Sequence, residues 1–159
     1  MKTILIGEES ETVGRLTREA QSEKQLEILQ SFQEEREALE YAGTQEIDLA
    51  VIDLDMEKAD GALVGWELRK RCPDILLIYV IGQQKNLMDL IPLHPVMILE
   101  KPLEDEKIRY AVESAYLLSK RKKKRIYART FGHFDVFVDG KPIMFKSAKA
   151  KEFLAFLID

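Results

Sequence analysis

Short apolar runs alternate with amphipathic segments over the first 120 residues of the chain. Continuous apolar runs occupy residues 4–6, 49–52, 75–81 and 96–99, and a weaker strand candidate lies at residues 26–29. Runs without polar alternation are typical of strands that are buried on both faces of a parallel sheet. Between the runs, apolar residues recur at helical spacing, so the pattern predicts five strands that alternate with five helices.

The predicted helices cover residues 10–20, 34–42, 64–71, 86–91 and 104–118. The fourth helix is weak because Pro92 and Pro95 follow it at once. Repeated right-handed strand–helix–strand units build one parallel sheet with helices on both faces. Residues 1–119 are therefore predicted to form an α/β fold, a (βα)5 doubly wound parallel sheet of the flavodoxin-like type.

Composition and charge restrict the class of protein. With 46% apolar and 33% charged residues the chain can bury a core, and its one cysteine and two histidines exclude a disulfide framework and a structural zinc site. No apolar run is long enough to span a membrane and no signal peptide precedes the first strand, so a cytoplasmic protein is expected. Residues 1–119 carry a net charge of −11 and residues 120–159 one of +7, which favours an acidic domain followed by a segment that faces a polyanion.

Acidic residues and one lysine follow three of the predicted strands. Glu8 and Glu9 follow the first strand, Asp53 and Asp55 the third, and Lys101 the fifth. Ligands of a parallel α/β sheet bind beyond the carboxyl ends of the strands, so these side chains are expected to converge. Converging carboxylates favour a hard cation such as Mg²⁺, and the lysine favours an anion. The set predicts phosphoryl transfer to a carboxylate, although each residue alone also fits an ordinary solvated strand end.

These motifs resemble those of a response-regulator receiver domain over about Met1 to Ser119. The matching segments are ILIGEE at residues 4–9, Ala38-Leu39, DLAVID at residues 48–53, and Lys101-Pro102. The resemblance implies a phosphoprotein of a two-component system whose partner is a sensor histidine kinase. It implies no enzymatic turnover beyond slow self-dephosphorylation, and it allows a homodimer through the fourth helix, the fifth strand and the fifth helix.

The resemblance also implies roles for the residues at the strand ends. Asp53 is the implied phosphoacceptor, and Lys101 contacts the phosphoryl group and precedes a cis peptide bond to proline. Mg²⁺ is the implied cofactor, held by Glu8, Glu9, Asp53 and the backbone carbonyl of Asp55.

Three features depart from the pattern of the family. The acidic pair is Glu8-Glu9, whereas the family usually has at least one Asp in this pair. Ile81 occupies the position at the end of the fourth strand where the family has Ser or Thr. Ile98 occupies the position in the fifth strand where the family usually has an aromatic switch residue. Isoleucine donates no hydrogen bond to a phosphoryl oxygen and is stiff at χ1, so both switch positions are degenerate. A phosphorylation-independent pseudo-receiver, acting as a dimerisation or sensing module, is therefore a second hypothesis.

A hypothesis of another class is a haloacid-dehalogenase-like phosphatase. The pair Asp53 and Asp55 resembles the nucleophile and acid/base motif of those enzymes. In that family the motif closes the first strand, whereas here it follows the third. The acidic residues 104–106 after Lys101 are more typical of a helix start than of a metal-binding pair.

The last forty residues follow a different pattern. Six consecutive cations at residues 120–125 predict a solvated helix end or linker, which we extend over residues 120–128. A β-hairpin is predicted from residues 131–138 and 143–145, and Ser147 is placed to cap a helix with an apolar stripe. A hairpin and one helix bury too little surface to fold alone, so a continuation beyond Asp159 is expected.

The segments at residues 129–142 and 149–155 resemble the opening of an OmpR-type winged helix, and most closely the SARP class of transcriptional regulators. This resemblance implies that residues 129–159 begin a DNA-binding effector domain. The first hypothesis is accordingly a response regulator whose receiver controls a DNA-binding, transcription-regulatory domain.

Overall fold

A computed structural model describes residues 1–7, 14–16, 18, 25–56, 60–82, 87–122, 126–129, 134–138 and 141–158. The chain divides into two compact units, Met1–Ser119 and Lys120–Asp159. The division falls where the net charge of the chain changes sign. Within the described ranges, no helix is both long enough and apolar enough to cross a membrane.

Five parallel strands form the sheet of the first unit in the order β2-β1-β3-β4-β5. They are β1 (Lys2–Ile6), β2 (Glu27–Phe32), β3 (Leu49–Asp53), β4 (Leu76–Ile81) and β5 (Met97–Glu100). This order confirms the predicted doubly wound α/β fold. Strand β3 lies at the centre, and because the strands are parallel they all end at one edge of the sheet, the carboxyl edge.

The helices of the first unit are α1 (Glu35–Ala42), α2 (Gly61–Arg71), a 3₁₀ helix (Leu87–Leu93) and α3 (Asp105–Lys122), and residues 14–16 and 18 are also helical. Helix α2 begins three residues before its predicted start because Asp60 caps it. The Asp60 carboxylate accepts hydrogen bonds from the backbone N–H groups of Ala62, at 2.9 Å, and Leu63, at 3.4 Å.

The weak helix predicted for residues 86–91 is present, but residues 87–93 form a 3₁₀ helix instead of an α-helix. Pro92 lies inside this segment and has no N–H to donate to the carbonyl four residues earlier, so an α-helical turn is unfavourable there. Side chains three residues apart eclipse one another in a 3₁₀ helix. Leu90 and Leu93 therefore line up in the core, and Met88 and Ile91 line up on the exposed side.

Alternate side chains of the strands supply two cores on opposite faces of the sheet. One core contains Ile52, Leu77 and Tyr79, which pack with residues of α1, α2 and the 3₁₀ helix. The other contains Val51 and Ile78, which pack with residues of α3. Strands β3 and β4 are buried along their whole length, which is what their continuous apolar runs predict.

The second unit contains a three-stranded antiparallel sheet, β6 (Ile126–Arg129), β7 (Asp135–Val138) and β8 (Lys141–Pro142), and helix α4 (Ala148–Ile158). The predicted hairpin is present as β7 and β8, but its second strand lies at residues 141–142 rather than at 143–145. Ser147 caps α4 through a hydrogen bond of 3.2 Å from the Ala150 N–H to its hydroxyl oxygen.

The linker predicted for residues 120–128 differs from the structure at both ends. Residues 120–122 continue α3, and residues 126–128 belong to β6. Strand β6 forms because Ile126 pairs with Val138 and Arg129 with Asp135 across the sheet, and the latter two side chains also form an ion pair. The sequence pattern missed this strand because it directly follows the run of cations.

Candidate functional site

Asp53 and Lys101 meet at the carboxyl edge of the sheet. Asp53 is the last residue of the central strand β3 and is 4% exposed, and Lys101 directly follows β5. The Nζ atom of Lys101 lies 2.9 Å from Oδ2 of Asp53. The structure thus brings together a buried carboxylate and a lysine that lie 48 residues apart in the sequence.

Lys101 crosses the end of β4 to reach Asp53, because β4 lies between β3 and β5. Its backbone N–H donates a 2.7 Å hydrogen bond to the carbonyl of Ile81, and its peptide bond to Pro102 is cis, as the resemblance implies. Gly82, the residue after β4, lies beside both the lysine and Asp55. A Cβ atom at Gly82 would make only ordinary van der Waals contact with Cδ of Lys101, at 3.5 Å, but it would overlap the carboxylate of Asp55.

Asp55 is held in the same cluster by two contacts. Its backbone N–H donates a 2.9 Å hydrogen bond to Oδ1 of Asp53, and its own Oδ2 lies 3.2 Å from Nζ of Lys101. Lys101 therefore bridges two carboxylates. From the sequence, the Asp55 side chain is expected to converge with the others at the strand ends, but only its backbone carbonyl is given a role, and its contact with Lys101 is not predicted. The sequence signal for that contact is the glycine at position 82, which leaves room for the Asp55 carboxylate.

Gly7 packs against the phosphoacceptor candidate from the other side. It follows β1, which neighbours β3, and a Cβ atom there would lie 2.7 Å from Cβ of Asp53. Such a distance is shorter than van der Waals contact, so a larger residue would displace Asp53 or the end of β1. Gly7 thus leaves the room that the Asp53 side chain occupies, whereas on the other side Asp53 pairs with Val80 of β4.

Glu8 and Glu9, the other predicted metal ligands, lie outside the described residues. Within the described part of the chain, no group of three or more His, Cys, Asp or Glu side chains is arranged to hold a metal ion. That part of the site supplies two carboxylates, those of Asp53 and Asp55, and both are hard oxygen donors of the kind that Mg²⁺ prefers.

The two switch positions carry apolar side chains in or against one core. Ile81, at the end of β4, is 8% exposed, and Ile98 of β5 is partly buried against the same core. Neither side chain offers a hydroxyl to an incoming group. Ile98 pairs in register with Tyr79 of β4, so the sheet does place an aromatic ring beside this position, but on the neighbouring strand.

Tyr79 is a buried titratable group close to the site. Its side chain is fully buried, and its hydroxyl has no hydrogen-bond partner among the described residues. Burial raises the pKa of Tyr79 well above its ordinary value, and the nearby Arg69 only partly offsets this shift. The hydroxyl therefore remains protonated at neutral pH and has no role as an acid or base there.

Residues 4–113 match the family model of the response regulator receiver domain. Among solved structures, the REC domain of AraT, a response regulator from Geobacillus stearothermophilus, superposes with a TM-score of 0.71 at 21% identity, covering 77% of this chain and 98% of that one. The response regulatory domain of protein mrkE from Klebsiella pneumoniae has a TM-score of 0.70 at 16% identity, covering 76% and 99%.

The signal receiver domain of a modulated diguanylate cyclase from Desulfovibrio desulfuricans G20 has a TM-score of 0.64 at 22% identity, covering 76% of this chain and 97% of that one. At these identities the structures establish a shared fold. No curated protein matches the sequence significantly.

Proposed function

The chain belongs to the response regulator receiver family through residues 4–113, and on that premise we propose that Asp53 accepts a phosphoryl group from a sensor histidine kinase in the cytoplasm. The observation that carries this proposal is the 2.9 Å contact between the buried Asp53 carboxylate and the Lys101 ammonium group. Burial protects an aspartyl phosphate from bulk water, and the lysine supplies a positive charge for the anion that arrives.

In the proposed reaction a carboxylate oxygen of Asp53 attacks the phosphorus of the donor's phosphoryl group. The bond between phosphorus and the donor atom breaks, and the donor atom leaves with the electron pair. The product is an acyl phosphate on Asp53. Lys101 is placed to donate a hydrogen bond to a phosphoryl oxygen because it already contacts Oδ2 of Asp53, the carboxylate that the group joins.

The donor set at this edge of the sheet fits Mg²⁺. Asp53 and Asp55 present hard oxygen ligands, and in the sequence Glu8 and Glu9 come after Gly7, the residue that follows β1, the strand beside β3. We assign the ion to Glu8, Glu9, Asp53 and the backbone carbonyl of Asp55. When bound, Mg²⁺ would neutralise negative charge on the transferring group.

Intact-mass measurement after incubation with acetyl phosphate and Mg²⁺ tests the assignment. The wild type should gain the mass of one phosphoryl group, and Asp53→Asn should gain none because the amide is not a nucleophile. Asp74→Asn is the matched control, since this exposed residue lies between α2 and β4 at the opposite edge of the sheet. An equal gain in Asp53→Asn would show that Asp53 is not the acceptor.

The apolar side chains of Ile81 and Ile98, which offer neither a hydroxyl nor an aromatic ring, favour a second candidate function, a pseudo-receiver that does not depend on phosphorylation. In that case the first unit serves as a dimerisation or sensing module. A wild-type protein that gains no phosphoryl group in the mass measurement would support this candidate.

For the second unit we propose a role in DNA binding as part of an output domain. Its net charge of +7 and its antiparallel sheet followed by a capped helix support this role. We further propose that the protein is not a phosphatase. Measurable turnover of p-nitrophenyl phosphate that Asp53→Asn abolishes would contradict this and favour a haloacid-dehalogenase-like activity.

A further inference from the structure

Lys101 is shared between two carboxylates, and the second of them has no assigned role. Nζ of Lys101 lies 2.9 Å from Asp53 and 3.2 Å from Oδ2 of Asp55. Of the three side chains, Asp53 is 5% exposed, Lys101 16% and Asp55 28%. Asp55 is thus the most exposed of the three, and its carboxylate lies at the lysine that Asp53 also contacts.

We propose that the carboxylate of Asp55 competes with the phosphoryl group for Lys101 and thereby restrains phosphorylation of Asp53. This inference rests on the proposed function and extends it. In the resting protein, Asp55 supplies a second anion to Lys101 besides Asp53. A phosphoryl group that joins Asp53 must share the lysine with Asp55 or displace it, and it meets a like charge at close range in a partly buried site.

Gly82 provides independent support, because the position of the Asp55 side chain depends on it. A Cβ atom at Gly82 would overlap Oδ2 of Asp55, so any other residue there would push that carboxylate away from Lys101. The backbone hydrogen bond from Asp55 to Oδ1 of Asp53 fixes the loop on which the carboxylate is carried. The glycine that follows β4 therefore leaves room for the Asp55 carboxylate.

The rate of phosphoryl gain from acetyl phosphate at saturating Mg²⁺ tests this competition. Asp55→Asn keeps the size of the side chain and the backbone carbonyl but removes the charge, so we expect the rate to rise about tenfold, which corresponds to about 1.4 kcal/mol. Asp74→Asn removes the same charge at the opposite edge of the sheet and should leave the rate unchanged.

Nitrogen NMR of the lysine ammonium groups gives a second readout that needs neither metal nor phosphodonor. The Lys101 signal should shift in Asp55→Asn and in Gly82→Ala, which displaces the carboxylate without removing it, and should stay in place in Asp74→Asn. An unshifted Lys101 signal in both site variants overturns the competition.

The outcomes separate this inference from the function on which it rests. A phosphoryl gain in the wild type that Asp55→Asn does not accelerate overturns the role of Asp55 and leaves Asp53 as the acceptor. No gain in either protein overturns both. A faster gain in Asp55→Asn, together with a shifted Lys101 signal, supports both.

Discussion

Replacing Tyr79 by phenylalanine is expected to stabilise the first unit. The ring lies in the middle of β4, fully buried between the sheet and α2, and its hydroxyl finds no hydrogen-bond partner among the described residues. That hydroxyl fits only because residue 65 of α2 is glycine, since a Cβ atom there would collide with it. The substitution removes the polar atom and keeps the rest of the packed ring.

The size of the effect follows from the cost of burying a polar group without a partner. For a hydroxyl this cost is about 1–3 kcal/mol, so Tyr79→Phe should raise the free energy of unfolding by about that amount near neutral pH. Gly65→Ala should destabilise the wild type strongly and Tyr79→Phe less, because without the hydroxyl the nearest remaining ring atom and Cδ1 of Leu93 would lie 3.2 Å from the new methyl group and would need to move only slightly.

The difference between wild type and Tyr79→Phe should grow in alkali. Burial raises the pKa of Tyr79, whereas in the unfolded chain a tyrosine ionises near its ordinary pKa of about 10. Above that pH the unfolded state loses a proton that the folded state keeps. The free energy of unfolding of the wild type is therefore unaffected by this group below about pH 10, and above that pH it falls by about 1.4 kcal/mol for each further pH unit until the folded-state pKa is reached.

Urea unfolding followed by tryptophan fluorescence measures these changes, because Trp66 of α2 is the single tryptophan of the chain and reports on the first unit. The four proteins needed are the wild type, Tyr79→Phe, Gly65→Ala and the double variant. A Tyr79→Phe protein less stable than the wild type would show that the hydroxyl has a partner. Equal effects of Gly65→Ala in both backgrounds would refute the close contact.

Two further predictions concern assembly and DNA. Ile81 and Ile98 offer neither a hydroxyl nor a mobile ring, so the phosphoryl mimic beryllofluoride with Mg²⁺ should change the sedimentation coefficient of the protein little, and any dimer should form without it. A large monomer-to-dimer shift with beryllofluoride bound at Asp53 would contradict this prediction. The 159-residue chain should bind duplex DNA weakly and without sequence preference, because residues 120–125 supply only charge to the phosphates. Fluorescence anisotropy should show that the affinity falls steeply with salt. A sequence-specific footprint at moderate salt would contradict this prediction.

The sheet could be predicted from the sequence because its strands leave an unambiguous pattern. The runs that became β3 and β4 are apolar throughout, and burial on both faces of a parallel sheet requires this. Once the strands are assigned, the positions of their carboxyl ends follow, and so does the expectation that Asp53 and Lys101 lie close together. That part of the site can be predicted from the order and direction of the strands alone.

Other parts of the structure could not be predicted from the sequence because they depend on local backbone chemistry or on contacts between distant segments. The segment around Pro92 has apolar spacing that suits a helix, but the missing N–H changes the type of helix. Strand β6 follows a run of cations and is defined by its pairing with β7, which no local pattern encodes. The Tyr79 hydroxyl likewise depends on a glycine in a different element, Gly65.

The Asp55 side chain shows why a site predicted from strand ends is incomplete. Its position two residues after β3 fixes where its backbone lies, and this much can be predicted from the sequence. The direction of its carboxylate depends on Lys101 and on the space at Gly82, the residues that follow β5 and β4. Chain order brings such residues to one edge, but the contacts among them depend on which side chains are small. Glycines beside a cluster of charged residues are therefore as informative about the site as the charges themselves.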